Sequence, residues 1–363
     1  ACGKLFSSLF GVKYLTAMII SAIVIVAYTT LGGFLAASTT DFIQSIIMSV
    51  ALIVVLIFGV ETAGGIGAVI HNASELPGYL SMTLSYDVNT GKAAPYSALT
   101  IVSTAAWGLG YFGMPHILLR FMAIEDEKKL KLSRRVATIW VVISLFVAVF
   151  IGVIGYTMSK VGALEMLTGS NSETIIVKIS ALLSQHGVIF ALLAGVILAG
   201  ILASTMSTSD SQLLAASSAV SSDILGAFRK DSSNKNGSMA AARITLLVIS
   251  VVAAFIARNP DSSVFAIVSF AWAGFGAAFG PVVLFSLFWK RTSKWGALAG
   301  MVCGGSMVFI WKYLIRPLGG IWNIYELLPA FLIACAAIVI VSLLTPKPSK
   351  EIEEEFDRVA QMK

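Results

Sequence analysis

Long apolar stretches recur along the whole chain, and they restrict its fold more than any motif does. Hydrophobic residues make up 57% of the sequence and charged residues only 12%, whereas soluble domains carry about a quarter charged residues. Helices that cross the ~30 Å hydrocarbon core of a bilayer need stretches of this kind. The sequence therefore predicts an all-α polytopic membrane protein with about nine transmembrane helices: Val12–Leu31, Phe42–Val60, Ala98–Met122, Val136–Met158, Gly187–Thr208, Thr245–Ala257, Val264–Trp289, Trp295–Ile315 and Leu327–Leu344.

The division of the chain follows from the same pattern. Residues 1–345 are predicted to form one transmembrane domain, and residues 346–363 a charged tail that is either a solvated helix or disordered. Thr245–Ala257 is the shortest stretch, and a run of this length is also typical of a core or re-entrant helix. The segment between Val60 and Ala98 contains a run apolar enough to predict a short helix on the outer mouth.

The distribution of lysine and arginine predicts the orientation. Of the 25 basic residues, 17 lie in the tail or in loops on the tail's side of the predicted spans. Cytoplasmic loops of membrane proteins carry an excess of such residues. We therefore expect a multi-pass protein of the cell membrane with a cytoplasmic C-terminus. This explanation of the net charge of +6 makes a nucleic-acid partner unnecessary.

A stripe of hydroxyl residues interrupts the fifth apolar stretch. Ser204, Ser207, Thr208 and Ser211 are spaced by three, four and seven, which places them on one helical face. Neutral oxygens at membrane depth can replace water around a small hard cation. Alternatively, these side chains bond carbonyls of their own helix or allow a close helix approach. Asp210 lies one turn below and is predicted either to be buried and functional or to be solvated at the cytoplasmic mouth.

The third apolar stretch has an unusual composition for a membrane helix. Three glycines and a proline occur within residues 107–115, and each of them weakens a helix. Interrupted helices of this type are typical of the midplane binding sites of transporters. Trp107, Tyr111 and Pro115 recur every four residues and form one face that could contact a compact ligand. The alternative is a glycine-notched helix that packs tightly against its neighbours, with the aromatic rings at the membrane interface.

Three segments resemble the sodium:solute symporter family over almost the whole chain. They are YTTLGGFLA at residues 28–36 followed by Thr40-Asp41, WGLGYFGMPHILLRFM at residues 107–122, and MST at residues 206–208 followed by QLL at residues 212–214. The resemblance implies a LeuT-type fold of two inverted five-helix repeats with peripheral helices. It also implies sodium as the coupling ion and a small solute as cargo.

The resemblance assigns expected roles to individual residues of the sodium site. Ser207 and Thr208 match the family's sodium-coordinating hydroxyls. Ser204 stands where the family often has alanine and uses the backbone carbonyl. Asp41 matches an acidic residue on the sodium path, although an aspartate near a helix start is also commonly an N-cap.

The expected solute site comes from the resemblance in the same way. Trp107, Tyr111 and Pro115 match positions that shape the solute site, and proline is the solute that the resemblance favours. Met114 stands where related proline carriers have glutamine, which leaves open another amino acid or a pantothenate-like carboxylate.

One part of the family pattern has no match in this sequence. The first core helix, which supplies backbone oxygens for both sodium and solute, would precede Val12–Leu31, and we expect the chain to be a fragment that lacks roughly the first quarter of the family's length. The leading hypothesis is secondary sodium symport. A non-transporting membrane sensor on the same fold is the alternative, and an enzyme is not expected because no nucleophile, base and orienting group cluster together.

Overall fold

The computed structural model describes residues 2–228, 235–259 and 263–361. Contacts divide the chain into unit 1 (Ala1–Leu80 with Ile124–Ser262) and unit 2 (Ser81–Ala123 with Ser263–Lys363). The α-helices and strands are α1 (Cys2–Phe10), α2 (Tyr14–Thr62), α3 (Ile66–Ser74), β1 (Leu84–Asp87), β2 (Lys92–Pro95), α4 (Ala98–Ala105), α5 (Pro115–Met122), α6 (Leu130–Lys160), α7 (Ile175–Leu183), α8 (Val188–Ser218), α9 (Leu225–Phe228), α10 (Lys235–Ile256), α11 (Val264–Phe288), α12 (Lys294–Ile310), α13 (Leu327–Leu344) and α14 (Lys350–Gln361).

Within those described ranges, eight helices are long and apolar enough to cross a membrane. They are Tyr14–Leu35, Ala37–Thr62, Glu127–Lys160, Val188–Ile224, Met239–Ile256, Val264–Phe288, Lys294–Leu318 and Leu327–Leu344. Eight predicted stretches are thereby confirmed, seven of them with changed ends, and the sixth predicted stretch is a helix of full spanning length rather than a short segment. The remaining stretch, Ala98–Met122, is interrupted, and no single helix in it is long enough to span.

Helix α2 of unit 1 contains two of these spans, Tyr14–Leu35 and Ala37–Thr62, and is kinked near the end of the first. Gly33 has φ 61° and ψ −161°, whereas the residues on both sides are helical. A positive φ is far more accessible to glycine than to any residue with a Cβ, so Gly33 allows the kink. The sequence predicted a connection of about ten residues here, which is wrong because helix resumes directly after the kink.

The core of unit 1 lies between α2, α6 and α8. Val55 from α2, Ile151 and Ile154 from α6 and Ile197 from α8 are at most 1% exposed and belong to one cluster. A close approach of α2 and α8 continues this core, since a Cβ placed at Gly200 would lie 3.0 Å from the Cβ of Ala51. Small residues at such positions let membrane helices pack closely.

The connection after α2 forms a short helix, as the sequence predicted. Helix α3 buries Val69 and Ala73 and ends beside Glu75. The Lys160 ammonium at the end of α6 donates to the Glu75 carboxylate. This contact lowers the pKa of the Glu75 carboxyl from its usual value. The ion pair ties the short helix to the end of a membrane span.

A β-hairpin in unit 2 was not predicted. Strands β1 and β2 pair antiparallel, with Asp87 opposite Lys92. The Asp87 carboxylate accepts from the Asn89 amide and the Thr90 hydroxyl at 2.9 Å each, and these bonds lower the pKa of its carboxyl. Gly91 supplies the positive φ that the turn requires. The Asn-Thr-Gly sequence was the local signal for this turn.

The charged tail forms helix α14 in the described part of residues 346–363. The Lys290 ammonium, in the connection between α11 and α12, donates to the Asp357 carboxylate at 2.6 Å. This bond raises the pKa of Lys290 above its usual value. This ion pair holds the mostly exposed α14 against unit 2, so the described tail forms the solvated helix, the first of the two alternatives that the sequence left open.

The core of unit 2 depends on glycines in α12. A Cβ at Gly296 would overlap the Ser342 hydroxyl, and a Cβ at Gly300 would overlap the Ile338 side chain, both on α13. A Cβ at Gly304 would overlap the backbone carbonyl of Ala277 on α11. The three glycines, spaced by four residues, therefore let α12 pack directly on both neighbours.

This packing predicts a position-specific effect of one added methyl group. Gly304→Ala should destabilise the protein by about 1–3 kcal/mol, because the backbone of Ala277 cannot move aside as a side chain could. The matched control is Gly305→Ala, whose Cβ would lie 3.8 Å from the Ala278 Cβ, an ordinary contact. Thermal unfolding of the purified protein should show a lower melting temperature for Gly304→Ala only. Equal melting temperatures for both variants would contradict this packing.

Candidate functional site

The hydroxyl stripe lies on helix α8 in unit 1. The Ser207 and Thr208 hydroxyls donate to the Ser204 carbonyl at 3.1 and 3.3 Å, and the Ser211 hydroxyl donates to the Ser207 carbonyl at 2.9 Å. These bonds are the own-helix contacts that the sequence offered as the alternative. A hydroxyl that donates its hydrogen in this way keeps its oxygen lone pairs. Hydrogen bonding within the helix and cation binding are therefore compatible, because the same hydroxyl oxygens remain acceptors for a cation.

Ser204 belongs to this stripe through its side chain, and its backbone carbonyl also accepts hydrogen bonds from the stripe. Its carbonyl oxygen accepts from both Ser207 and Thr208, so the same carbonyl could serve a cation only if these bonds lengthen. The prediction that Ser204 contributes through its backbone stays a prediction.

The Asp210 carboxylate is buried, which decides between the two alternatives that the sequence left open. Asp210 is 0% exposed and lies inside the span Val188–Ile224. The Tyr28 hydroxyl of α2 donates to its Oδ2 at 2.6 Å, and the Ser211 hydroxyl lies 3.2 Å from its Oδ1. A buried carboxylate in a membrane span is costly and usually functional. The solvated position at the cytoplasmic mouth is thus wrong.

Asp41 lies in the second arm of α2. The span that contains it begins at Ala37, so Asp41 is one turn inside the helix and the N-cap alternative is wrong. Its side chain is partly buried. A place for Asp41 on a sodium path remains a prediction.

The aromatic residues predicted for the solute site lie in unit 2. Trp107 belongs to a 3-10 helix, Ala106–Gly113, and is partly buried. Its ring is nearly parallel to those of Trp272 at 5.3 Å, Phe265 at 5.7 Å and Tyr325 at 6.0 Å between centroids. Trp107 is therefore part of a packed aromatic cluster.

Tyr111 and Pro115 complete the predicted face. Tyr111 is 45% exposed and contacts Trp272 edge-on at 4.8 Å between centroids. Pro115 occupies the first turn of α5, where its missing N–H costs no hydrogen bond. Met114, between the 3-10 helix and α5, has extended dihedrals and is only 4% exposed. The Tyr111 ring is thus the most accessible part of this face.

Residues from α11 and from the segment before α13 form hydrogen bonds with the interrupted third stretch and stabilise it. The Trp272 indole N–H donates to the Trp107 carbonyl at 2.9 Å. A Cβ at Gly110 would overlap this indole, so the glycine makes room for it. The Tyr325 backbone N–H donates to the Ser103 hydroxyl at 2.7 Å. Sequence reasoning missed Trp272 and Tyr325, because they lie more than 150 residues beyond their partners and no local pattern marks them.

Among the described residues, no group of three or more His, Cys, Asp or Glu side chains could hold a metal ion. Neutral oxygens and isolated carboxylates suit a hard monovalent cation better than a transition metal. A groove of about 570 Å³ between α12 and the end of α13 is lined mainly by apolar side chains around Trp295, and it includes none of the predicted site residues.

Comparison with known proteins adds the family context. The model of the sodium:solute symporter family matches residues 1–304. The sodium/proline symporter of Haemophilus influenzae is 40% identical over 364 residues, which cover 99% of this chain and 69% of that protein. The osmoregulated proline transporter OpuE of Bacillus subtilis is 38% identical over 348 residues, covering 96% of this chain and 67% of that protein.

A solved structure supports the predicted fold. A Na+-coupled sialic acid symporter in a substrate-bound outward-open state superposes with a TM-score of 0.73, covering 96% of this chain and 71% of that chain. The two sequences share 16% identity, so this likeness concerns the fold alone. It confirms the LeuT-type transporter fold that the resemblance implied.

Proposed function

Because the chain belongs to the sodium:solute symporter family, we propose that it acts as a secondary symporter that couples inward sodium flow to the uptake of L-proline. The observation that carries this proposal is the 36–40% identity to proline carriers of several bacteria over almost the whole chain. A carrier needs no nucleophile or metal cluster, and its work is to bind two solutes together and release them together. The protein is thus proposed to be a transporter and not an enzyme.

The sodium ion is proposed to bind at Ser207 and Thr208 on α8. Sodium is a hard cation, and hydroxyl and carbonyl oxygens are the ligands such ions prefer. The Ser204 carbonyl is proposed to join them once its hydrogen bonds from these two hydroxyls lengthen. Asp41 is proposed to guide the cation electrostatically from a neighbouring helix of the same unit. Helix interruptions and polar helix faces within spans are typical of such ion sites.

The solute is proposed to bind at Trp107, Tyr111 and Pro115 in unit 2. Proline has a compact apolar ring, and the exposed face of Tyr111 offers a matching aromatic surface. Trp107 is fixed by its aromatic neighbours, so it can hold the 3-10 helix in place while the solute contacts its exposed part. Backbone groups near the break are available to bind the polar ends of the solute.

The proposed setting is the cell membrane, with the C-terminus in the cytoplasm. Within the described residues, eight helices are long and apolar enough to cross a membrane, which supports a multi-pass protein. The excess of basic residues on the side of the tail supports the orientation. The lipid bilayer is thus the protein's direct environment.

The direct test of this function is uptake of radiolabelled proline into proteoliposomes. The purified protein should accumulate proline when an inward sodium gradient is present and not when potassium replaces sodium. Unlabelled proline should compete, whereas other amino acids and pantothenate should compete weakly. Sodium-driven uptake of another solute in place of proline would support symport with a different cargo. If sodium drives the uptake of none of these solutes, the result would favour a sensor.

The first variant prediction concerns the sodium hydroxyls. Ser207→Ala should raise the sodium concentration for half-maximal uptake about tenfold or more, because a ligand oxygen is lost while the helix remains intact. The matched control is Ser209→Ala, since the Ser209 hydroxyl also donates to its own helix, to the Thr205 carbonyl at 2.8 Å, but lies off the stripe. The measurement is uptake as a function of sodium at saturating proline. The same sodium requirement in Ser207→Ala and wild type would contradict this site.

The second variant prediction concerns the exposed aromatic ring. Tyr111→Ala should raise the proline concentration for half-maximal uptake by roughly tenfold, since one aromatic contact is typically worth ~0.5–1.5 kcal/mol beyond its buried area. Phe112→Ala is the control, because the neighbouring Phe112 is similarly exposed at 41%. Proline titrations at saturating sodium measure the effect. A larger effect in Phe112→Ala than in Tyr111→Ala would place the solute on a different face.

A further inference from the structure

The Asp210 carboxylate is the one fully buried acidic side chain of unit 1 in the described part of the chain. The proposed symport mechanism uses the hydroxyls of Ser207 and Thr208 and leaves Asp210 without a role. A buried carboxylate is retained at a considerable desolvation cost unless hydrogen bonds compensate it. Its contacts therefore indicate what it does.

These contacts connect two helices at the hydroxyl stripe. The Tyr28 hydroxyl donates to Asp210 Oδ2 at 2.6 Å and lies 3.4 Å from the Met206 carbonyl. The Ser211 hydroxyl reaches both Asp210 Oδ1, at 3.2 Å, and the Ser207 carbonyl, at 2.9 Å. The carboxylate thus links a side chain of α2 to the backbone of the turn that carries Ser207.

The position of Tyr28 along α2 gives this link its significance. Tyr28 lies five residues before the kink at Gly33, and Asp210 lies two residues after Thr208. A helix interrupted at a glycine is less rigid than a continuous one, so its first arm needs a specific tie to keep its register against α8. A short hydrogen bond between two side chains is a strong tie in a membrane interior, because no water competes for either partner.

We infer that Tyr28 and Asp210 form a latch between α2 and α8 that positions the Ser207 and Thr208 hydroxyls and thereby sets the apparent sodium affinity. Asp210 is in this view a positioning residue, which acts through the Tyr28 hydroxyl and the turn around Ser207 and does not itself contact sodium. The inference rests on the proposed sodium coupling. To that proposal the latch adds a pair of residues. The hydrogen bond between them is required, whereas the charge of Asp210 is not.

The test combines two removals and one conservative replacement. Tyr28→Phe removes only the donor, Asp210→Ala removes the acceptor, and Asp210→Asn keeps an acceptor oxygen without the charge. Tyr14→Phe is the matched control, because the Tyr14 hydroxyl on the same arm of α2 donates to the Ala257 carbonyl at 2.8 Å. The readouts are the sodium dependence of the melting temperature without solute, and the half-saturating sodium and proline concentrations of uptake.

The latch predicts a specific pattern. Tyr28→Phe and Asp210→Ala should each raise the half-saturating sodium concentration about tenfold, and the double variant should raise it no further, because both remove the same bond. Asp210→Asn should recover most of the wild-type affinity. The half-saturating proline concentration at saturating sodium should stay unchanged in all of them. Tyr14→Phe should leave the sodium dependence as in wild type, even if it lowers the melting temperature.

Other outcomes would overturn the latch. Multiplying effects in the double variant, with Asp210→Asn as impaired as Asp210→Ala, would show that the carboxylate acts on sodium by its charge. An unchanged sodium dependence in Tyr28→Phe would overturn it directly, and this mild variant carries the test if the Asp210 variants do not fold. A wild-type protein that sodium neither stabilises nor drives would instead contradict the proposed symport, and the latch with it.

Discussion

Backbone amides and carbonyls inside a bilayer must find hydrogen-bond partners within the protein, and the architecture of this chain follows from that constraint. Continuous helices satisfy it locally, which is why the described spans are helical. Where a helix is interrupted, other residues supply the partners. At the 3-10 helix Ala106–Gly113, the indole N–H of Trp272 binds the Trp107 carbonyl. At the kink of α2, Gly33 provides a conformation that other residues rarely adopt.

The same constraint applies to polar side chains, which pair with one another or with backbone carbonyls. The hydroxyls of Ser207 and Thr208 bind their own helix, which satisfies their hydrogens and leaves oxygen lone pairs. The carboxylate of Asp210 binds a tyrosine hydroxyl from another helix of unit 1. Polar groups in a membrane interior are costly unless they are paired, so their pairing pattern shows which of them serve structure and which can serve a ligand.

Much of the fold could be predicted from the sequence, because spans depend on local hydrophobicity and the break at residues 103–116 depends on local glycine and proline. The kink at Gly33 and the burial of Asp210 could not be predicted in this way. Both depend on packing against distant segments, as does the stacking of Trp107 against Phe265, Trp272 and Tyr325. The candidate sodium and solute residues came from spacing and from family resemblance.

The central claim is that sodium and proline bind this protein cooperatively. Calorimetric titration of the purified protein with proline at several sodium concentrations, and with sodium at several proline concentrations, measures both directions of the coupling. Because linkage is reciprocal, each ligand should tighten the other by the same factor, typically worth ~1–3 kcal/mol. Proline binding that is equally tight with and without sodium would contradict the account.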